Sequence, residues 1–309
     1  MEAVSGTRPQ GPRLLSDPRL LAVGAAGFAA AAAALWALRG LPLGTALFWL
    51  SPFPLFAAGL GFGPGAAAAA VALAVALLWG LSGFAAALAF FALFGAPAAL
   101  LLAAGLRGGG FQSALPLALL GLWPVAVLLI AALFLSGGEG LQAAMRAMLE
   151  ATLGRAGFAV PEPVLSQVVR VKAAAIGFLS AVALLGNGFV ARRSLLRWGV
   201  GVPPLPDPAA VRLPGWYPLL PALAAGLFLA VPAEADAAPV SALLLLLVPL
   251  LVMGIAGVHA RAKGRPGRVP MLALFYVLLA LFLQVMGPAL VGLGLYDQFR
   301  RRASAPPTV

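Results

Sequence analysis

Nine stretches of 17 to 25 residues in this chain of 309 carry no Asp, Glu, Lys or Arg. They run from about 20 to 38, 41 to 61, 65 to 81, 84 to 105, 114 to 135, 173 to 190, 216 to 232, 239 to 259 and 270 to 294. A helix of about 20 residues crosses a ~30 Å hydrocarbon core. Lipid offers no water to a backbone amide, so each segment must satisfy its own polar groups. Runs of this length without a period of two are therefore helices, not barrel strands. Composition agrees: 62% of residues are hydrophobic and 9% charged, against about 25% charged in a soluble domain. Twenty basic and nine acidic side chains cannot build a polar shell around a globule of this size. The expected fold class is all-α, a polytopic transmembrane helix bundle of about 8 to 10 spans with one interfacial amphipathic helix.

The absence of cysteine excludes disulfide scaffolds, thiolate metal sites and cysteine nucleophiles. His259 is the sole histidine, so no multi-histidine site exists. No catalytic residue, metal ligand or cofactor motif is assigned. The net charge of +11 comes from short clusters between apolar runs, without the continuous basic stripe and interleaved aromatics of a nucleic-acid surface. Anionic lipid headgroups are the better counter-charge, and the lipid bilayer is the first partner.

The chain divides into a basic cytoplasmic arm at 1 to 19, N-terminal transmembrane helices at 20 to 135, and an extracytoplasmic amphipathic helix and loop at 136 to 172. C-terminal transmembrane helices at 173 to 299 and a basic tail at 300 to 309 complete it. In the third segment Leu141, Ala144, Met145, Met148, Leu149 and Thr152 share one helical face, opposite Gln142, Arg146 and Glu150. Pro161 and Pro163 predict an extended stretch after it. With the N-terminus cytoplasmic, 15 of the 20 basic residues fall on one side, among them Arg8, Arg13, Arg19 and Arg107. Glu139, Glu150, Glu162, Glu234 and Asp236 fall opposite. Keeping Arg300 to Arg302 with the other arginines requires the last run to turn back, and Met286-Gly287-Pro288 is the expected break.

Polar side chains within the runs are few. Ser51 precedes Pro52 and Pro54, which mark a helix break at membrane depth; such breaks occur where backbone is buried in protein or lines a cavity. A kinked helix with a tight turn is the plainer reading. Ser51, Asn187 and Gln284 are the candidate ligand-binding residues, although amides in membranes more often join neighbouring helices. Gly80-Leu81-Ser82-Gly83 matches the short pattern around the nucleophile of rhomboid-type proteases, but topology sets Ser82 a membrane thickness from His259. Ala25, Ala29 and Ala33 form a small-residue stripe, yet 10 of the 19 residues from Leu20 to Leu38 are alanine, so the spacing is nearly unavoidable.

The segment Asn187-Gly-Phe-Val-Ala-Arg-Arg-Ser-Leu-Leu-Arg-Trp-Gly199, followed by Val202-Pro-Pro-Leu-Pro206 and Arg212-Leu-Pro-Gly-Trp216, resembles the YybS-like family of bacterial polytopic membrane proteins. Further matches are Leu50-Ser-Pro-Phe-Pro-Leu-Phe-Ala-Ala-Gly-Leu-Gly61, His259 at the end of its run, and Gly294-Leu-Tyr-Asp-Gln-Phe-Arg300. The resemblance implies a multi-pass protein of the bacterial inner membrane without an established reaction. It also implies a remote similarity to the S components of energy-coupling-factor transporters and to MreD. Two functions follow as expectations. One is transport-related binding of a small, largely uncharged molecule near Ser51, Asn187 and Gln284. The alternative is a scaffold that holds a membrane protein partner through cytoplasmic basic loops bearing Arg192, Arg193, Arg197 and Arg212. A lipid-acting enzyme would have only the neighbourhood of His259, Arg261 and Asp297.

Overall fold

Proline and glycine decide where these apolar runs start and stop. A computed structural model describes residues 17–108, 110–135, 140–232 and 237–303. Arg8, Arg13, Glu139, Glu234, Asp236 and residues 304–309 lie outside the described residues. Helix α1 (Pro18–Leu38) begins with proline at its first position, where no amide is missed, and the Asp17 carboxylate accepts from the Arg19 amide. Helices α2 (Gly44–Leu50) and α3 (Pro52–Phe62) join at Ser51 into one span, and α4 (Pro64–Ser82) follows through Gly63 at φ +90°. Gly83, at φ +85°, starts α5 (Phe84–Phe90); a π-helical turn at Phe91–Gly95 passes directly into α6 (Ala96–Gly105), and together these make one 22-residue span. A two-residue hairpin, β1 (Leu106–Arg107) with β2 (Gly110–Phe111), leads into α7 (Ala114–Leu135).

The amphipathic segment is a helix, α8 (Gly140–Ala156), bounded close to where its periodicity places it. Helix α9 (Glu162–Arg197) is longer than its uncharged run: its 36 residues start directly after Pro161 and pass straight through 172 and 173, so the expected boundary falls inside one rod. Only Pro161 is extended, at ψ 141°. Pro163 fits the first helical turn, where its missing amide has no intrahelical role.

The run at 216 to 232 yields only the 12-residue helix α10 (Leu219–Ala230), about 18 Å long and short of the bilayer core. Helix α11 (Ala237–Ala262) spans fully. The last run breaks at Phe282, not at Met286-Gly287-Pro288, giving α12 (Arg268–Leu281) and α13 (Leu283–Ala303) bent 118° to each other. Pro288 stays inside α13, where it removes one helical amide donor. Among the described residues, seven helical spans are long and apolar enough to cross a membrane, with the bent pair as an eighth. The chain is an all-α, multi-pass membrane protein.

One contiguous core joins the N-terminal and C-terminal helices. Small residues set its closest contacts. A Cβ on Gly27 of α1 would lie 2.8 Å from the Ala70 carbonyl oxygen of α4, and the buried stripe is Ala26, Ala30 and Ala34, one residue on from Ala25, Ala29 and Ala33. In an alanine-filled helix the glycine, not the alanine spacing, marks the contact face. A Cβ on Gly254 would lie 2.0 Å from the Leu290 carbonyl oxygen, and one on Gly294 2.1 Å from that of Leu250. Helices α11 and α13 therefore touch backbone to backbone, running in the same direction. This brings the C-terminal ends of α9, α11 and α13 to the same end of the bundle as the start of α1 and the end of α6. Arg19, Arg107, Arg192, Arg193, Arg197, Arg212, Arg261, Lys263 and Arg300 gather at this basic end.

Candidate functional site

Each proline inside a span removes an amide and leaves the carbonyl four residues earlier without its helical partner. In lipid that carbonyl must find another donor. Pro52 releases the carbonyl of Phe48, and the Ser51 hydroxyl donates to it at 2.7 Å. At the same interruption Asn187 Nδ2, from α9, donates to the Trp49 carbonyl at 2.8 Å and to Ala183 in its own helix at 2.7 Å. Pro97 releases the carbonyl of Leu93, which accepts from the Ser180 hydroxyl at 2.6 Å; the adjacent Ala92 carbonyl, in the π turn, accepts from Trp123 Nε1 at 2.7 Å. Near Pro249 of α11, the Tyr217 hydroxyl donates to the Leu246 carbonyl at 3.0 Å.

The expected ligand residues thus have different fates. Ser51 and Asn187 come together at the α2–α3 junction, buried, with their donors engaged by backbone. Asn187 Oδ1 is buried with no partner among the described residues. Pro52 is fully buried and Pro54 partly so, in a junction that bends without opening the span. Gln284 lies exposed at the start of α13, whose packing is against α11 and α12, away from the other two. Ser82 is exposed at the α4–α5 turn, at the opposite end of the bundle from His259. His259 instead shares a 2.8 Å hydrogen bond with the Tyr276 hydroxyl.

Two chambers open in the bundle. The inner one, about 390 Å³, lies at the basic end among α3, α6, α7 and α9, bordered by Leu205, Pro206 and Val211. Its lining is apolar except for Ser113 and Arg192, the latter half-buried with Nε donating to the Pro203 carbonyl at 3.4 Å. The outer one, about 420 Å³, lies between α6, α7 and α9 under Leu141, Met145 and Met148 of α8. Helix α8 is tied down by Arg146, whose guanidinium bridges Glu150 and Glu162. Those contacts, Glu162 foremost, hold Arg146 more firmly protonated than usual.

Around the inner chamber's mouth the loops are cross-linked by side chains. Gln298, buried, donates to the Leu213 carbonyl at 2.9 Å and accepts from the Leu213 amide at 3.1 Å, a two-point clamp on the segment 212 to 216. Arg261 meets buried Asp297 through two bonds of 3.0 and 2.8 Å. Lys263 binds Asp207 and, with the Ala209 amide, holds that carboxyl below the usual carboxylate range. Arg193, Arg197 and Arg212 point into the open. Sequence reasoning missed Trp123, Tyr217 and Gln298. Pro97, inside an apolar run, signalled that a donor must exist for freed backbone, though not which one; the Tyr217 contact falls on Leu246, one residue past the carbonyl that Pro249 frees.

We found no match to this chain among family models, curated proteins or solved structures. The site's chemistry must be read from its own residues. No group of three or more His, Asp or Glu side chains gathers among the described residues. The arrangement offers apolar volume with a cation at its mouth.

Proposed function

We propose that this is a transport-related protein of the bacterial inner membrane, N-terminus in the cytoplasm, that binds a small, largely apolar molecule in the chamber at its basic end. One observation carries the reading: a chamber of about 390 Å³, within the roughly 300–1,000 Å³ of ligand sites, lined by apolar side chains with Arg192 at its rim. The in-membrane polar residues do not serve as ligand contacts in this reading, because their donors already hold broken backbone. The cytoplasmic assignment rests on the gathering of arginines at one end. Membership of the YybS-like family belongs to the same proposal. It is supported by the meeting in space of two of the resembling motifs, Leu213 with Gln298.

Thermal-shift measurements on purified protein test the reading. Isoprenoid or lipid precursors should raise the melting midpoint, and Leu185→Trp, which fills the chamber, should remove that shift. Absence of stabilisation by every apolar compound tried overturns it.

The scaffold reading is favoured by one feature: Arg193, Arg197 and Arg212 are exposed and make no ion pair among the described residues. In-cell crosslinking that captures a protein lost on replacing all three by alanine supports it.

A further inference from the structure

The two chambers are not independent. On α9 the residues facing the outer chamber run Ala173, Ile176, Gly177, Ser180, Ala181 and Leu184; those facing the inner chamber run Leu184, Leu185, Gly188, Phe189 and Arg192. The stripe changes chamber at Leu184. On α7 it changes at Leu120, and on α6 at Leu101. All three leucines are buried, and each lines both chambers. The stripe on α9 from 173 to 192 covers about 28 Å at ~1.5 Å per residue, close to the full ~30 Å of hydrocarbon.

We propose that Leu101, Leu120 and Leu184 form a septum in one apolar path across the membrane, and that its occupant is a membrane phospholipid with an acidic headgroup. The inference rests on the binding reading above and extends it from a site to a route. Charge complementarity selects the occupant. Arg192 stands at the inner rim, and Lys172 at the outer rim donates from Nζ to the carbonyl of Met145, itself a lining residue. A cation at each end and apolar walls between match an anionic headgroup and its acyl chains in either leaflet. The walls are suited to movement. The π turn at Phe91–Gly95, Pro97 and Pro124 interrupt the ladders of the helices that carry two of the three leucines, and π turns are frequent at functional sites. The septum itself is three flexible side chains, with no hydrogen bond or ion pair to break.

The test uses the full-length protein in vesicles containing phosphatidylglycerol with a trace of fluorescent phosphatidylglycerol, whose inner-leaflet fraction is read by dithionite quenching. A photoreactive phosphatidylglycerol reports occupancy of the chambers in parallel. Leu184→Ala and Leu101→Ala should raise the rate of exchange between leaflets several-fold over wild type, and Leu184→Trp should reduce it to that of protein-free vesicles. Leu290→Ala, a buried leucine of α13 outside the path, should leave it unchanged. Two septum variants are used so that poor folding of one, seen as loss of monodispersity, leaves the other to decide. Photolabelled chambers with protein-free exchange rates in wild type and both alanine variants overturn the route while leaving the binding reading intact. Absence of photolabelling overturns both. An equal acceleration by Leu290→Ala shows general loosening and overturns the septum.

Discussion

The middle of this bundle and its basic end use different polar residues for different purposes. In the middle, Ser51, Asn187, Ser180 and Trp123 each donate to a backbone carbonyl beside a proline or π-helical interruption. At the basic end, Arg261 meets Asp297, Lys263 meets Asp207, and Gln298 clamps Leu213, so side chains join separate elements. Depth explains the difference. In hydrocarbon a free carbonyl has no water to turn to, so each available donor is drawn to it; near the headgroups water satisfies loose carbonyls and charged pairs can form. Polar residues in the middle thus repair spans, whereas those at the end assemble loops.

Several substitutions would break or sharpen that contrast. The largest effect is expected where the basic-end cluster depends on direct backbone contact: Gly254→Leu forces a side chain against the Leu290 carbonyl and should cost more than about 3 kcal/mol, read as loss of monodisperse protein. Asp297→Ala leaves Arg261 without its bidentate partner beside a closely packed helix. It should cost about 2 to 3 kcal/mol in unfolding measured in micelles, and Arg261→Ala in the same background should add little. Asn187→Leu exposes the Trp49 carbonyl to an apolar neighbour and should cost about 1 to 2 kcal/mol; equal stability would remove the repair role. Ser180→Ala should cost about 1 kcal/mol, since it deletes one bond in a similar setting.

The smallest effect concerns pH. Asp207 is held below its ordinary pKa chiefly by Lys263. Its contribution is therefore present above the unfolded carboxylate range and fades as pH falls through the lowered folded value. Accessibility of a label near residue 207 should rise only in that acid window, and Lys263→Gln should move the rise toward ordinary carboxylate pH.

The fold class was legible because length without charge leaves a chain in lipid one option. The amphipathic helix α8 was legible for a similar reason, since its periodicity is local. The last break was misplaced because Gly287-Pro288 is the stronger local breaker, while the chain turns at Phe282, whose backbone lies at φ −122° and ψ 36°. Extending α13 through Pro288 keeps Gly294 and Leu290 against α11, and that packing outweighs one lost amide bond. The candidate site divided in the same way. Ser51 and Asn187 were recognised as the polar residues that matter at mid-membrane, but one-dimensional spacing could not show that they serve the same helix junction or that Gln284 does not join them.

Sequence alone determined that this protein lives in a bilayer as helices, which way its basic residues lean, and where backbone would be short of donors, because each follows from the chemistry of consecutive residues. Tertiary structure alone decided which donor reaches which carbonyl, that α11 and α13 run side by side, and that three leucines on α6, α7 and α9 divide one apolar path into two chambers. Those are relations between residues up to more than a hundred positions apart, and only packing brings such residues within a few ångströms.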